Sequence, residues 1–294
     1  MLISVLFFPA CQKDLNVDVP QQGPKLVMNS VNILGDRIRL RLSHSVSSIA
    51  QSSRDEDNIP DATVILFDND GIADTLNYYP DEKEYASDIL TMQGHVYRLK
   101  AIADGYQPVE ATAEVPYPVA LGLNYKANAG VNRYNQSMDQ FQVTFTDKAD
   151  TREDYYRIRL IKAGTIFQQY TGGCIETQDP SAENLLDETI GEIKCYSGEG
   201  IFCRDQLFNG QTKVLAFFAE HKELLPVVDS AGNTSYIIIQ LDHIAEPYFK
   251  YLKTTAYVIH NNANPFAEPS NAFSNVQNGY GIFTVLSRSQ RNLR

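Results

Sequence analysis

Hydrophobic and polar residues alternate along much of this chain. Residues 36–42 read DRIRLRL, with Ile38, Leu40 and Leu42 on one side and Arg37, Arg39 and Arg41 on the other. VEATAEV at 109–115 repeats the pattern. A period of two marks strands with one buried and one solvated face. ATVILF (62–67) is a β-rich run, and the DNDG that follows (68–71) suits a hairpin turn. YRLKAIA (97–103) adds a further strand. Together, residues 25–118 predict an immunoglobulin-like or carboxypeptidase-regulatory-like β-sandwich.

NYKANAGVNRYNQS (124–137) is polar, and residues 119–137 read as a linker or long loop. Strand patterns restart with FQVTFTD (141–147) and YYRIRLI (155–161), and return at TKVLAFF (212–218) and SYIIIQL (235–241). Between them, residues 174–203 read as an inserted excursion with a short helix over 182–190, capped by Ser181. One helix is clear from its period. Ile244, Tyr248, Tyr251, Leu252, Thr255, Val258 and Ile259 form a single apolar stripe, with Pro247 tolerated in the first turn. The fold class expected is mainly β. The N-terminal sandwich is followed by a second antiparallel β domain over 138–294, carrying one amphipathic helix near 244–260.

The first residues carry an address. In MLISVLFFPACQKD the apolar run is too short to span a bilayer but suits a signal segment, and Ala10 precedes Cys11 as in a bacterial lipobox. Residues 1–10 are read as a signal remnant, Cys11 as the lipid-attachment site, and 11–24 as a lipidated polar tether. The expected location is the outer membrane, anchored by lipid and facing the cell exterior.

Composition narrows the rest. The chain has 294 residues, 43% hydrophobic, with a formal net charge of −11. That balance excludes a nucleic-acid binder, since no basic patch exists to displace counterions. With Cys11 lipidated, Cys174, Cys195 and Cys203 remain, and one disulfide among them plus a buried thiol is the simplest account. Both Cys195–Cys203 and Cys174–Cys195 are open pairings. No CxxC unit supports zinc.

The last part of the chain, NPFAEPSNAFSNVQNGYGIFTVLS (264–287), resembles the closing signature of a lipoprotein family from Bacteroidetes-type bacteria, catalogued as a domain of unknown function. PKLVMN (24–29) and PDATVILFD (60–68) resemble its earlier segments. The resemblance implies an outer-membrane lipoprotein often encoded beside a TonB-dependent receptor, and it implies no catalytic residues. Gly279 and Gly281 are read as permitting positive φ in a tight turn before the final strand.

The search for chemistry is brief. The chain contains no HExxH, GxSxG or P-loop. His221 and His243, with Glu220, Glu223 and Asp242, are weighed as a metal cluster and read instead as scattered surface groups. No metal and no cofactor are expected. Tyr78, Tyr79 and Tyr85 form the candidate ligand-binding surface, in a chain with 17 Tyr and no Trp. The expected function is a non-catalytic surface lipoprotein, not an enzyme, assisting a TonB-dependent receptor in nutrient capture or uptake. The alternative is a structural or adhesive surface module that binds another protein or matrix.

Overall fold

The computed structural model describes residues 23–45, 58–149, 152–164, 169–170, 174–186, 189–190, 193–196, 199–262 and 271–293. The signal segment, Cys11 and the NPF sequence at 264–266 lie outside the described residues. The protein is mainly β. The first half contains β1 (Leu26–Ile33), β2 (Arg37–His44), β3 (Thr63–Asp68), β4 (Gly71–Thr75), β5 (Asn77–Tyr79), β6 (Glu84–Leu90), β7 (Val96–Ile102) and β8 (Val109–Glu114). The second opens with β9 (Gly122–Val131), β10 (Ser137–Thr146) and β11 (Tyr155–Ala163). Six short strands make the excursion: β12 (Gln169–Tyr170), β13 (Ile175–Glu176), β14 (Ala182–Glu183), β15 (Thr189–Ile190), β16 (Ile193–Tyr196) and β17 (Ile201–Arg204). Then come β18 (Thr212–Glu220), the one-turn helix α1 (His221–Leu224), β19 (Tyr236–Ile244), helix α2 (Glu246–Asn262) and β20 (Tyr280–Leu293).

These strands form three sheets. A ten-stranded sheet runs β14-β17-β11-β19-β20-β1-β2-β6-β5, with β12 also on β11. A six-stranded sheet runs β15-β16-β13-β18-β10-β9, and a four-stranded sheet runs β4-β3-β7-β8. The alternation in the sequence explains the facing. Ile38, Leu40 and Leu42 of β2 bury against Val64, Leu66, Tyr97 and Leu99 of the four-stranded sheet. Arg37, Arg39 and Arg41 stay outside, where Arg39 and Arg41 reach Glu84 at 3.7 and 3.5 Å. Such exposed pairs contribute little stability, so the strand owes its place to the apolar face. In the second half, Phe141, Val143, Phe145, Leu215 and Phe217 bury against Tyr156, Ile158, Leu160, Ile239 and Leu241.

One strand belongs to both sandwiches. The first seven residues of β20 run parallel to β1, with Val27 opposite Tyr280 and Ile33 opposite Leu286. Its last seven run antiparallel to β19, with His243 opposite Ser287 and Ile237 opposite Leu293. Phe283 and Val285 complete the N-terminal core. Ile282 and Leu286 point to the other face and meet Tyr248 and Phe249 of α2. The N-terminal sandwich is therefore not confined to residues 25–118, because its core is closed by the end of the chain. Gly281 makes this pairing possible. It has φ +106°, and a Cβ there would lie 2.1 Å from the Met28 carbonyl oxygen. The left-handed residue beside it is Asn278 (φ 61°), not Gly279. Gly279 is needed for space, since its Cβ would stand 2.5 Å from Leu26 O.

Two further expectations are corrected. Residues 122–131 are a ten-residue strand, β9, at the edge of the six-stranded sheet and not a linker. It reads as loop because an edge strand solvated on most positions has no apolar face; Leu123 packs against the core and the Tyr125 ring lies 5.1 Å from that of Phe141. The helix expected over 182–190 is absent among the described residues. Ala182–Glu183 pairs with β17 and Thr189–Ile190 with β16, and the Ser181 hydroxyl donates to Asp179 at 2.6 Å.

Candidate functional site

At one end of the C-terminal sandwich, five separate chain segments bring polar groups together. Asp147 follows the last residue of β10, and Asp154 immediately precedes β11. Asp205 follows β17 and opens a single 3-10 turn. Tyr156 on β11 is the direct partner of both His243 on β19 and Cys203 on β17. Tyr117 arrives from the connection between β8 and β9. Antiparallel pairing places these ends side by side although they span more than a hundred residues of sequence.

The hydrogen bonds converge on the carboxylates. The Tyr156 hydroxyl donates to Asp147 Oδ1 in a short bond. Tyr117 Oη lies 2.8 Å from Asp154 Oδ2 and 3.2 Å from Asp147 Oδ1. The Gly210 amide donates to Asp147 Oδ2 at 2.7 Å. His243 Nδ1 lies 3.0 Å from the Tyr117 carbonyl, which can only accept, so that nitrogen carries a hydrogen. Its Nε2 then faces Asp154 Oδ1 at 3.2 Å. The imidazole is held by rings on two sides, 4.9 Å from Tyr156 and 4.4 Å from Tyr117.

Electrostatics make the cluster unusual. Asp147 and Asp205 are buried, at 3% and 2% exposure. Asp205 Oδ2 has no hydrogen-bond partner. Burial, and then the neighbouring charges of Asp147, Asp154 and Glu153, push the Asp205 carboxyl above the usual carboxylate range. Burial likewise raises the Tyr117 and Tyr156 phenols, reinforced by the carboxylates they serve, so both remain donors at neutral pH. Oxygen ligands from Asp147, Asp154 and Asp205 lie within 4.8 Å of one another. This donor set has the chemistry to hold a hard cation. Two surface clefts among the described residues, of about 390 and 350 Å³, are lined by other residues.

The residues singled out from sequence go elsewhere. Tyr85 is a core residue at 2% exposure, its hydroxyl donating to Ile59 O at 2.7 Å and accepting from Ala62 N at 2.9 Å. Tyr78 packs 5.0 Å from it, and of the three only Tyr79 is exposed. The tyrosine surface is thereby corrected: a bulky ring on the inward face of β6 is spent on packing. His221 and His243 do not share a cluster. His221 Nδ1 contacts Asp139 at 2.8 Å, whereas His243 is buried at the acidic site. Cys174 and Cys195 are bonded, tying β13 to β16, and Cys203 is a buried thiol whose ionisation burial pushes up. Asp147, Asp154 and Asp205 escape sequence reading because each is an ordinary acid at a strand end. The local signal is that Asp147 and Asp154 flank strands with alternating sequences, whereas the IFCR strand before Asp205 does not alternate.

The chain belongs to the family described as Domain of unknown function (DUF4249), whose profile matches residues 12–292. No curated protein sequence shows significant similarity to it.

Proposed function

We propose that this chain is a non-catalytic outer-membrane lipoprotein that faces the cell exterior and assists a TonB-dependent receptor in nutrient capture or uptake. The observation that carries the reading is the Phe8-Pro9-Ala10-Cys11 address and polar tether, joined directly to the family region that starts at residue 12. A lipidated Cys11 confines the body to the plane of its receptor and raises the effective concentration of each for the other. A contact of standard size, about 1,600 Å², then suffices for a lasting complex.

The body is suited to presenting a surface. Both sandwiches share β20, so the tether carries one continuous ten-stranded sheet. Among the described residues β9 is an edge strand, with exposed Tyr125 and Val131 on it and exposed Tyr134 in the turn that follows. Sheet edges of this kind accept an extended partner segment. The net charge of −11 makes such a contact salt-sensitive where the partner loops are basic.

Cross-linking in intact cells, followed by identification of the adducts, tests the reading. The expected adduct is a barrel receptor with a plug. Adducts with a matrix or fimbrial protein in its place would favour an adhesive module.

A further inference from the structure

We propose that Asp147, Asp154 and Asp205 form a calcium-binding site that clamps together the strand ends of the C-terminal sandwich. Three observations carry it independently of any receptor. First, one oxygen from each carboxylate lies within 4.8 Å of the others. An ion with bonds of about 2.4 Å, inside the calcium range of 2.3–2.6 Å, bridges that span. Second, Asp205, a member of this group, is 2% exposed, and its Oδ2 lacks any hydrogen-bond partner. An unsatisfied buried carboxylate oxygen costs free energy that a cation ligand would offset. Third, the three acids draw no lysine or arginine among the described residues. Their ion pairs there amount to one contact, His243 Nε2 to Asp154 Oδ1 at 3.2 Å.

The surroundings favour calcium over other ions. The other polar groups around the three acids are the phenol oxygens of Tyr117 and Tyr156, the Gly210 amide and a single imidazole, that of His243. The sulfur-rich or imidazole-rich sets that select zinc are not present at this group of residues. Magnesium requires bonds of about 2.0–2.1 Å in a tight octahedron, a poor match to ligands fixed on separate strand ends. Tyr117, Tyr156, Gly210 and His243 hold Asp147 and Asp154 from outside, which orients the first ligands without occupying Asp205 Oδ2. The ion would tie the end of β10, the start of β11 and the end of β17 to one point.

The test is calorimetric titration of the full chain, purified in detergent and freed of metal by chelator, with calcium, magnesium and zinc chlorides in turn. Thermal unfolding is followed in parallel. The expected result is one calcium per chain with a dissociation constant of about 10⁻⁴ M. At ten times that concentration the melting temperature should rise by about 3 °C or more. Asp205→Asn should weaken calcium binding at least tenfold and remove the thermal shift. Asp154→Asn, at the more exposed ligand, should do the same and serves if the first variant does not fold. Folding of each protein is verified by near-UV circular dichroism. The proposal is overturned if folded wild-type protein takes up no calcium, if both variants bind it undiminished, or if magnesium or zinc binds in preference.

Discussion

Arg157 and Asp242 stand directly opposite each other on β11 and β19, and Arg157 Nη2 donates to Asp242 Oδ2 at 2.8 Å with both side chains sealed from solvent. Arg288, the partner of Asp242 on β20, donates from Nε to Oδ1 at 2.6 Å, and Arg159 Nη2 lies 3.4 Å away. One carboxylate thus joins three neighbouring strands, among them the strand shared by both sandwiches. Asp242→Asn leaves buried guanidinium groups without their counter-charge. A loss of about 3–5 kcal/mol is expected from breaking such a buried pair on one side, read from urea unfolding. A loss below about 1 kcal/mol would mean that the cluster is not a structural tie.

The same carboxylate predicts the acid limit of the fold. Burial alone would raise Asp242, but Arg288, Arg157 and Arg159 overcome it and hold the group below its ordinary value of 3.8. Asp179 is lowered in the same way, with Lys213 and Ser181 outweighing burial. A depressed folded value means that the unfolded chain takes up protons first as pH falls. The stabilisation is therefore complete above about pH 4 and lost progressively below it. Unfolding free energies measured from pH 6 downward should stay level with respect to these groups, then drop. Asp242→Asn should flatten much of that drop.

Gly281 offers a sharper test of the shared strand. Any side chain there meets both a left-handed backbone and the Met28 carbonyl at 2.1 Å. Gly281→Ala should destabilise by about 2–4 kcal/mol, because the β1–β20 register must shift. Gly232 also has positive φ (+84°) but open space around it, and its alanine variant should cost about 1 kcal/mol. Equal losses at the two sites would refute the close-approach account.

The disulfide is expected to act locally. Cys174 and Cys195 are separated by 21 residues, a loop for which removal costs about 3 kcal/mol on entropic grounds. Cys174→Ser with Cys195→Ser should loosen β13 and β16 while leaving exchange protection in β1, β2 and β20 unchanged, as hydrogen-exchange mass spectrometry can read.

Much of this architecture was legible in the chain. The alternation of Ile38, Leu40 and Leu42 with three arginines places β2, and the stripe read from Ile244 places α2, although Ile244 itself ends β19 and the helix begins at Glu246. Asn69 and Asp70, both at positive φ, make the DNDG hairpin that those residue types favour. What escaped notice is non-local. The pairing of Val27 with Tyr280 joins residues at opposite ends of the sequence, and nothing in either strand states its neighbour. The acidic site fails for the same reason: Asp147, Asp154 and Asp205 become a group only through strand pairing. Tyr85 misled because an aromatic ring among polar residues looks like a surface feature until its face of the strand is known.

The lipid address makes its own prediction. Metabolic labelling with a fatty-acid analogue should mark the wild-type protein and not Cys11→Ala, with lipid found on Cys11 by peptide mass. A label that persists in the variant would remove the anchor from the account.

The central claim is the proposed partnership with a receptor, and the most direct measurement is mild-detergent purification of the tagged protein from cell membranes, followed by identification of what accompanies it. A TonB-dependent receptor should co-purify in near-equal amount, and be lost when Cys11→Ala frees the body from the membrane plane. Recovery of the protein alone, under conditions where a known receptor–lipoprotein pair survives, would contradict it.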